Sequence, residues 1–333
     1  MREGLSSEGF GGPLFIVGMP RSGTKLLRDL LNRHPRIAIP DVETMIFPYL
    51  VKNWHGFSGL EQEAGFHEFY VRMARHFFFE YLRKRGEALA EDEWRSYIKE
   101  YSPAGVFEAL VRAVTKNPQG GNIIWGDKSP SYIEYIEVIA AQYPTARFVH
   151  IVRDVRDYCL SINKAWGKNK YRAAYRWRRG VAKARRAGQQ VNDRYMEVYY
   201  ESLLEDPPGQ LGRICDFLGI DFVSEMGSLD APSENLGDAR GAVGIIQGNK
   251  NKYLRALRKI EIKKIEEFGF EGMKLYGYQP IYASQAREVS GLQRRLWHLQ
   301  DGLSLAKAVA REHGLLRGIL MHLRHKRLFV GAP

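Results

Sequence analysis

Short apolar runs alternate with helical patterns along most of this 333-residue chain. Residues 13–17 form an apolar run that enters a glycine, and its shortness and branched side chains favour a buried parallel strand over a helix. Leucines at 26, 27, 30 and 31 then recur at helical spacing until Pro35 ends the pattern. The helix is predicted over residues 25–32. Its order after a strand and a glycine loop predicts the phosphate-binding unit of doubly wound α/β proteins.

The same alternation continues beyond this unit. Strands are predicted at residues 122–125, 146–152 and 194–199, and helices at residues 131–142, 158–166 and 210–218. The pattern therefore predicts an α/β fold, a P-loop-type three-layer sandwich with a central, mostly parallel sheet. Residues 51–115 are instead largely helical and rich in Phe and Tyr, and we interpret them as an inserted helical cap. Two roles are open for their aromatic rings, packing between helices and stacking on sugar rings. We expect that they form a helix-packing core.

Three parts are predicted along the chain: a flexible start at residues 1–12, one domain over residues 13–283, and a basic helical C-terminal extension over residues 284–333. From residue 285 onward nine Lys and Arg oppose three Asp and Glu, and leucines recur at roughly helical spacing. Such a helix packs on its parent domain or lies at a membrane interface. We expect packing and leave a peripheral membrane contact open.

The formal net charge of +12 favours a polyanionic partner, such as a nucleotide, a nucleic acid, an anionic glycan or a membrane surface. Residues 168–194 carry ten Lys and Arg, and we interpret them as a solvated face beside a nucleotide rather than as a nucleic-acid interface. Cys159 and Cys215 each lie in an apolar stretch, which predicts buried free thiols. The start has no apolar signal segment, so we predict a cytoplasmic protein.

The glycine loop runs from Gly18 to Thr24 with the sequence Gly-Met-Pro-Arg-Ser-Gly-Thr. Its Gly-x-x-x-x-Gly frame lets successive backbone N–H groups point into one concavity at a helix N-terminus, which binds anions. Nucleotide hydrolases continue with Lys and then a Ser or Thr that holds Mg²⁺, whereas here Thr24 precedes Lys25. The reversed order argues against a metal-bound triphosphate, and Arg21 supplies a planar fork for a less charged anion.

A second anion site is predicted where the strand at residues 146–152 runs into Arg153. Ser161 follows eight residues later on the next predicted helix. An arginine at the carboxyl end of a strand and a serine two turns along the next helix can converge on one phosphate. The alternative is that Arg153 only pairs with Asp154 or Asp157 at the surface.

Together these two motifs resemble the nucleotide-dependent sulfotransferases, especially the bacterial members and the tyrosylprotein sulfotransferases. In that family a Pro-Arg-Ser-Gly-Thr loop, matched by residues 20–24, binds the 5′-phosphosulfate of 3′-phosphoadenosine 5′-phosphosulfate (PAPS). A Val-Arg-Asp segment and a downstream serine, matched by Arg153 and Ser161, bind the 3′-phosphate. The resemblance covers roughly residues 13–260 and implies PAPS as co-substrate, with no metal required.

The resemblance also implies roles for single residues. Lys128, in Gly-Asp-Lys-Ser-Pro, matches the lysine that approaches the sulfuryl group, and Arg21 joins it in stabilising charge during transfer. Lys252 matches a family Lys-Trp, with tyrosine in place of tryptophan, and Lys25 stands where most relatives have a second threonine. The implied donor-binding residues are Arg21, Ser22, Gly23, Thr24, Lys25, Arg153, Ser161, Tyr200 and Lys252.

Glu43 resembles the general base of the tyrosylprotein sulfotransferases, and Asp41, His55 and His67 are its alternatives. The predicted reaction is in-line sulfuryl transfer from PAPS to a hydroxyl of a glycan, a lipid-linked molecule or a small molecule. A magnesium-dependent P-loop kinase of a small molecule and a non-enzymatic module that binds polyanions or membranes are the other hypotheses. A homodimer and contact with the inner face of a membrane are left open.

Overall fold

The computed structural model describes residues 9–117, 122–234, 236 and 238–313, with side chains in its last helix only through residue 304 and without that of residue 303. Five parallel strands form its sheet, in the order β2-β3-β1-β4-β5. These are β1 (Leu14–Gly18), β2 (Ile37–Ala38), β3 (Ile124–Lys128), β4 (Arg147–Val152) and β5 (Tyr195–Tyr199). The central strand β1 is the one that leads into the glycine loop.

Fourteen α-helices lie in the described ranges and surround this sheet. They are α1 (Thr24–Leu31), α2 (Phe47–Asn53), α3 (Glu63–Met73), α4 (Phe77–Lys84), α5 (Glu91–Ser96), α6 (Pro103–Thr115), α7 (Ile136–Gln142), α8 (Val155–Trp166), α9 (Lys170–Val191), α10 (Tyr200–Glu205), α11 (Pro207–Leu218), α12 (Tyr253–Ala256), α13 (Lys259–Leu275) and α14 (Gly291–His313). None of the helices that the structure describes is long and apolar enough to span a membrane.

Alternate residues of β1 belong to two different hydrophobic cores. Phe15 and Val17 face the core that α2, α6, α8, α9 and α13 cover, while Leu14 and Ile16 face the core under α1, α10 and α11. Successive side chains of a strand point to opposite faces, so both faces of the sheet are buried by helices. This arrangement confirms the predicted three-layer α/β sandwich with a parallel sheet.

The edge strand β2 and the helix α9 are not among the elements that the sequence pattern predicts. β2 has only two residues, too few to show a period, and its identity comes from pairing with Ile124 and Trp125 of β3. The predicted solvated face is one side of α9, where Arg176, Arg179 and Arg186 are exposed. The sequence interpretation missed the other side, which buries Trp177 and Val181 against the main core.

Residues 51–115 are largely helical; six of their thirteen aromatic rings are buried and five more pack against the same hydrophobic core. Phe66, Phe69, Phe79 and Trp94 pack on one another with ring centroids 5.2 to 5.8 Å apart. The same hydrophobic core continues from these rings to β1 and β4. The aromatic residues of this segment therefore form a packing core, as expected. Cys159 and Cys215 are buried free thiols; residues 1–8 and 314–333 of the predicted start and extension lie outside the described residues.

Candidate active site

Each strand of the sheet delivers a polar group to the same edge. Parallel strands end at one edge, and open α/β sheets bind their ligands there. In sheet order the groups are Glu43 after β2, Lys128 at the end of β3, the loop at residues 19–23 after β1, Arg153 after β4 and Tyr200 after β5. The strand order therefore places a carboxylate and a lysine on one side of the loop, and an arginine and a tyrosine on the other.

The loop itself has an unusual backbone. Arg21 and Gly23 both have positive φ angles, of 71° and 95°. A Cβ at Gly23 would overlap the ring of Tyr200, so only glycine allows the loop to approach β5 this closely. The backbone turns at Ser22, whose N–H donates to the Met19 carbonyl at 3.1 Å, and α1 begins at Thr24. A helix that begins directly after such a loop leaves its first N–H groups free to bind an anion.

The loop and the second predicted motif meet in one pocket. Arg21 Nε donates to Ser161 Oγ at 3.3 Å, and Arg153 Nη1 donates to the Arg21 carbonyl at 3.1 Å. Six of the predicted residues line this pocket: Arg21, Gly23, Arg153, Ser161, Tyr200 and Lys252. Tertiary structure therefore brings together two motifs that are more than 130 residues apart in the chain.

Arg153 has no ion pair with a neighbouring carboxylate among the residues that the structure describes. Its guanidinium lies 4.3 Å from the centre of the Tyr200 ring, and Nη2 donates to the Asn249 carbonyl at 2.9 Å. Asp154 pairs instead with Arg156, and Asp157 accepts from the Tyr253 backbone at 2.9 Å. The alternative surface pairing of Arg153 is therefore not formed.

Three polar atoms are buried without a partner among the described residues: Arg153 Nε and Asn249 Oδ1 of the pocket lining, and Ser22 Oγ of the adjoining loop. Buried polar groups in folded proteins are normally hydrogen-bonded. Two unpaired donors beside the loop and one unpaired acceptor beside Tyr200 fit a ligand with anionic groups at one end and a hydrogen-bonding base at the other. A nucleotide with two separated phosphate groups has this chemistry.

An acidic segment of the chain already contacts the cations of this pocket. Arg21 Nη1 pairs with Glu234 Oε2 at 2.7 Å, and Arg21 Nη2 donates to the Leu236 carbonyl at 2.8 Å. Lys252 pairs in the same way with Asp238 at 2.6 Å. Sequence reasoning did not find Glu234 or Asp238, because neither belongs to a motif and each lies far from the loop in the chain.

On the other side of the loop, Lys128 Nζ donates to Glu43 Oε1 at 2.7 Å. The Lys128 side chain is only 2% exposed, whereas 39% of the Glu43 side chain is exposed. Burial lowers the pKa of Lys128, the Glu43 charge opposes that shift, and the nearby Arg28 adds to it. The pair thus joins a buried cation to a carboxylate that incoming molecules can reach.

A buried network holds this pair in place. Thr44 Oγ1 and Ser129 Oγ both donate to Asp127 Oδ2, at 2.9 and 2.8 Å, and Ser129 Oγ also accepts from the Met45 N–H at 3.1 Å. Burial raises the pKa of Asp127 to about 6 against these hydrogen bonds. Since Thr44 follows Glu43 and Asp127 precedes Lys128, the network fixes the backbone next to both members of the pair.

Comparison with known proteins decides the family. A profile described as the sulfotransferase family matches residues 13–224. The chain belongs to the sulfotransferase family. It is 22% identical over 227 residues to a protein of Caenorhabditis briggsae named as a protein-tyrosine sulfotransferase, covering 64% of this chain and 67% of that one. Over 215 residues it is 23% identical to the protein-tyrosine sulfotransferase of Drosophila melanogaster, and this match covers 62% of this chain but only 38% of the relative.

Solved structures show the same fold. The sulfotransferase domain of the Synechococcus PCC 7002 olefin synthase has a TM-score of 0.50 and 24% identity, covering 79% of this chain and 96% of that domain. The sulfotransferase domain from the curacin biosynthetic pathway has a TM-score of 0.56 and 17% identity, covering 82% of this chain and 100% of that domain. The sheet and its helices are therefore those of a sulfotransferase.

The alternatives to Glu43 in this sulfotransferase lie in other surroundings. Asp41 is paired with Arg85. His67 contacts Glu91 at 2.8 Å with most of its side chain exposed, and His55 lies exposed in a short turn after α2. Neither histidine has a hydrogen bond to Glu43 or Lys128 in the described part of the chain.

Three predicted donor-binding residues, Ser22, Thr24 and Lys25, do not line the nucleotide pocket. Ser22 and Thr24 are buried at the loop and the start of α1, whereas Lys25 faces elsewhere. Lys25 lines a separate groove along the outer face of α1, together with Tyr81, Arg85, Arg33 and Asp230. The physical reason is helical geometry, because the side chain of the second helical residue points away from the concavity that its backbone N–H faces. No group of three or more His, Cys, Asp or Glu in the described ranges could hold a metal ion.

Proposed function

We propose that this sulfotransferase moves the sulfuryl group of PAPS to a hydroxyl of its acceptor. The observation that carries the proposal is the pair of arginines, Arg21 and Arg153, that serve one pocket from two different strand ends. A single phosphate does not need two such sites. A donor with a 5′-phosphosulfate and a 3′-phosphate does, and it supplies the sulfuryl group when bound.

The chain offers a set of contacts for each part of the donor. We assign the loop N–H groups, Arg21, Ser22 and Thr24 to the 5′-phosphosulfate, since an arginine fork and a helix N-terminus both stabilise anions. Arg153 and Ser161 are assigned to the 3′-phosphate. Tyr200, Asn249 and Lys252 surround the rest of the nucleotide, and the unpaired Asn249 Oδ1 is an acceptor for an amino group of the base.

The chemistry is assigned to the Lys128–Glu43 pair. The Glu43 carboxylate, which is partly exposed, takes the proton of the acceptor hydroxyl, and buried Lys128 stabilises the negative charge that develops on the oxygen leaving the sulfur. Arg21, at the loop between the two sites, shares that charge. Positioning by the Asp127 network keeps the base and the cation within hydrogen-bond distance of each other.

The groove along α1 is assigned to the acceptor. It lies on the Lys25 side of the loop, and its lining residues Lys25, Arg33, Arg85 and Asp230 are charged. Such a lining favours a polar hydroxyl compound, such as a glycan or the head group of a lipid-linked molecule, over an apolar alcohol. Lys25, which has no hydrogen bond or ion pair in the described residues, would then contact the acceptor rather than the donor.

Calorimetry tests the donor assignment. Adenosine 3′,5′-bisphosphate should bind in the presence of EDTA, and labelled PAPS should transfer its sulfur to a member of a hydroxyl-acceptor panel. A preference for ATP with a requirement for Mg²⁺ would instead identify a phosphate-loop kinase. Binding of neither nucleotide would leave a non-enzymatic module for polyanions.

A further inference from the structure

Among the residues that the structure describes, a groove between α9 and α14 is lined by five arginines and by no acidic residue. Arg172, Arg176 and Arg179 come from α9, at spacings of four and three residues that place them on one face. Arg294 and Arg295 come from the first turns of α14. This arginine groove is separate from the nucleotide pocket, with which it shares no lining residue.

The charge of the arginine groove is largely unbalanced. Arg172 pairs with Asp301, but Arg176, Arg179, Arg294 and Arg295 are exposed and have no ion pair among the residues that the structure describes. Lys168 lies close by, and burial together with the charges of Arg176 and Arg172 lowers its pKa. Cations held this close without counter-charges favour an external anion.

An exposed stripe of leucines on α14 adjoins these cations, and two of its members, Leu292 and Leu299, also line the groove. Leu292, Leu296 and Leu299 recur at spacings of four and three residues and are 69%, 56% and 64% exposed. The helix is anchored by its opposite face, where Trp297 is buried against Phe268 with ring centroids 5.2 Å apart. A helix anchored on one side and exposing leucines beside arginines on the other is typical of an interfacial membrane helix.

The arginine groove lies toward the same side of the molecule as the active site. In α9, Gly180 packs against Met19 of the glycine loop, while Gly188 packs against Tyr195 at the start of β5. The helix therefore runs from the carboxyl edge of the sheet to its amino edge. Arg172, Arg176 and Arg179 precede Gly180 within about 12 Å along the helix axis, beside the edge that carries Glu43 and Lys128.

We propose that the arginine groove and the leucine stripe dock this protein on an anionic lipid bilayer. Headgroup phosphates occupy the arginines of α9 and α14, and the three leucines enter the boundary between headgroups and acyl chains. The leucines favour a bilayer over a soluble polyanion, since a sulfated glycan or a nucleic acid backbone has no apolar layer for them. The proposal does not depend on the identity of the sulfuryl donor.

Co-sedimentation with vesicles tests the proposal on the full chain. We expect binding to vesicles of phosphatidylcholine with phosphatidylglycerol and much weaker binding to phosphatidylcholine alone. The double change Arg176→Gln and Arg179→Gln should weaken binding by about thirtyfold. The double change Leu292→Ser and Leu296→Ser should weaken it by about tenfold or more.

The matched control is Arg186→Gln, because Arg186 is an exposed arginine of the same helix outside the groove. This control should sediment with vesicles like the parent chain. All variants should have the thermal midpoint of the parent chain and the same affinity for adenosine 3′,5′-bisphosphate. Equal sedimentation of the arginine double variant and the parent would overturn the proposal. The proposal would also be overturned if the arginine double variant lost vesicle binding, the leucine double variant did not, and the parent chain was retained on heparin. That result would assign the groove to a soluble polyanion.

Discussion

Glu43→Gln is the change that tests the proposed mechanism most directly. Glutamine has almost the same shape as glutamate, and its carbonyl oxygen can still accept the hydrogen bond that Lys128 Nζ makes to Glu43 Oε1 at 2.7 Å. The amide cannot take a proton from an acceptor hydroxyl at neutral pH. The variant therefore removes the base while leaving the contact that holds the buried lysine.

The expected loss follows from the role assigned to this carboxylate. A positioned general base contributes about a hundredfold to ten-thousandfold to a reaction rate, so kcat should fall by that factor, about 3 to 5 kcal/mol in the barrier. A second effect follows from Lys128, whose pKa burial lowers and the Glu43 charge raises. Without that charge Lys128 loses its proton at a lower pH. The alkaline limb of the pH–rate profile of the variant should therefore begin at a lower pH than that of the parent chain.

The assay measures transfer from labelled PAPS across pH, with calorimetry on adenosine 3′,5′-bisphosphate as the control for the donor site. Donor affinity should be unchanged, since Glu43 does not line the nucleotide pocket. Glu91→Gln is the matched control, because Glu91 is a carboxylate that contacts His67 outside the site. Turnover of Glu43→Gln close to that of the parent chain would refute the reasoning, and loss of turnover in Asp41→Asn, His55→Ala or His67→Ala would then locate the base.

Three further changes test the nucleotide pocket and the buried network. Glu234→Gln removes the ion pair with Arg21 and a negative charge facing the donor, so calorimetry should show adenosine 3′,5′-bisphosphate binding about fivefold more tightly; weaker binding would show that Glu234 contacts the nucleotide. Arg153→Gln should lose about ten- to a hundredfold in affinity for that nucleotide but little for adenosine 5′-phosphate, because Arg153 is assigned to the 3′-phosphate; equal losses for both would contradict the assignment. Asp127 has a pKa of about 6 in the folded protein against 3.8 for the free group, so the fold favours its protonated form. Its contribution to the free energy of unfolding is therefore complete below about pH 4. As the pH rises through 6, the protein loses at most about 3 kcal/mol of that free energy. In Asp127→Asn the free energy of unfolding, measured with denaturant, should not fall over this pH range. A pH dependence equal to that of the parent chain would contradict this assignment to Asp127.

The prediction from sequence was strongest where a local rule acts over a few residues. The apolar run before Gly18, the glycine frame and the leucine spacing after it specify β1, the loop and α1 without help from the rest of the chain. Arg153 and Ser161 follow the same logic on β4 and α8. Resemblance to a family was needed to single out Glu43 and Lys128, since a loop carboxylate and a strand-end lysine carry no periodic signal.

Contacts between distant segments were beyond any local pattern. β2 exists because two residues pair with β3, and that pairing sets Glu43 beside Lys128 from 85 positions away. The ion pair of Arg21 with Glu234 and the direction of the Lys25 side chain likewise depend on how helices and loops pack. The charge and leucine spacing of the extension were visible in the sequence, but only folding brings Arg176 and Arg179 of α9 next to them.

The amino-acid sequence by itself therefore determined most strands of the parallel sheet, the glycine loop after β1 and the positions of Arg153 and Ser161 after β4 and on α8, because strand and helix periods and glycine geometry act within a few residues. Tertiary structure alone decided which groups share a pocket. It put the two arginines around one pocket, a carboxylate on a buried lysine, and Lys25 in a different groove. The physical reason is that the order of parallel strands, which long-range packing selects, determines which strand ends become neighbours at the reactive edge.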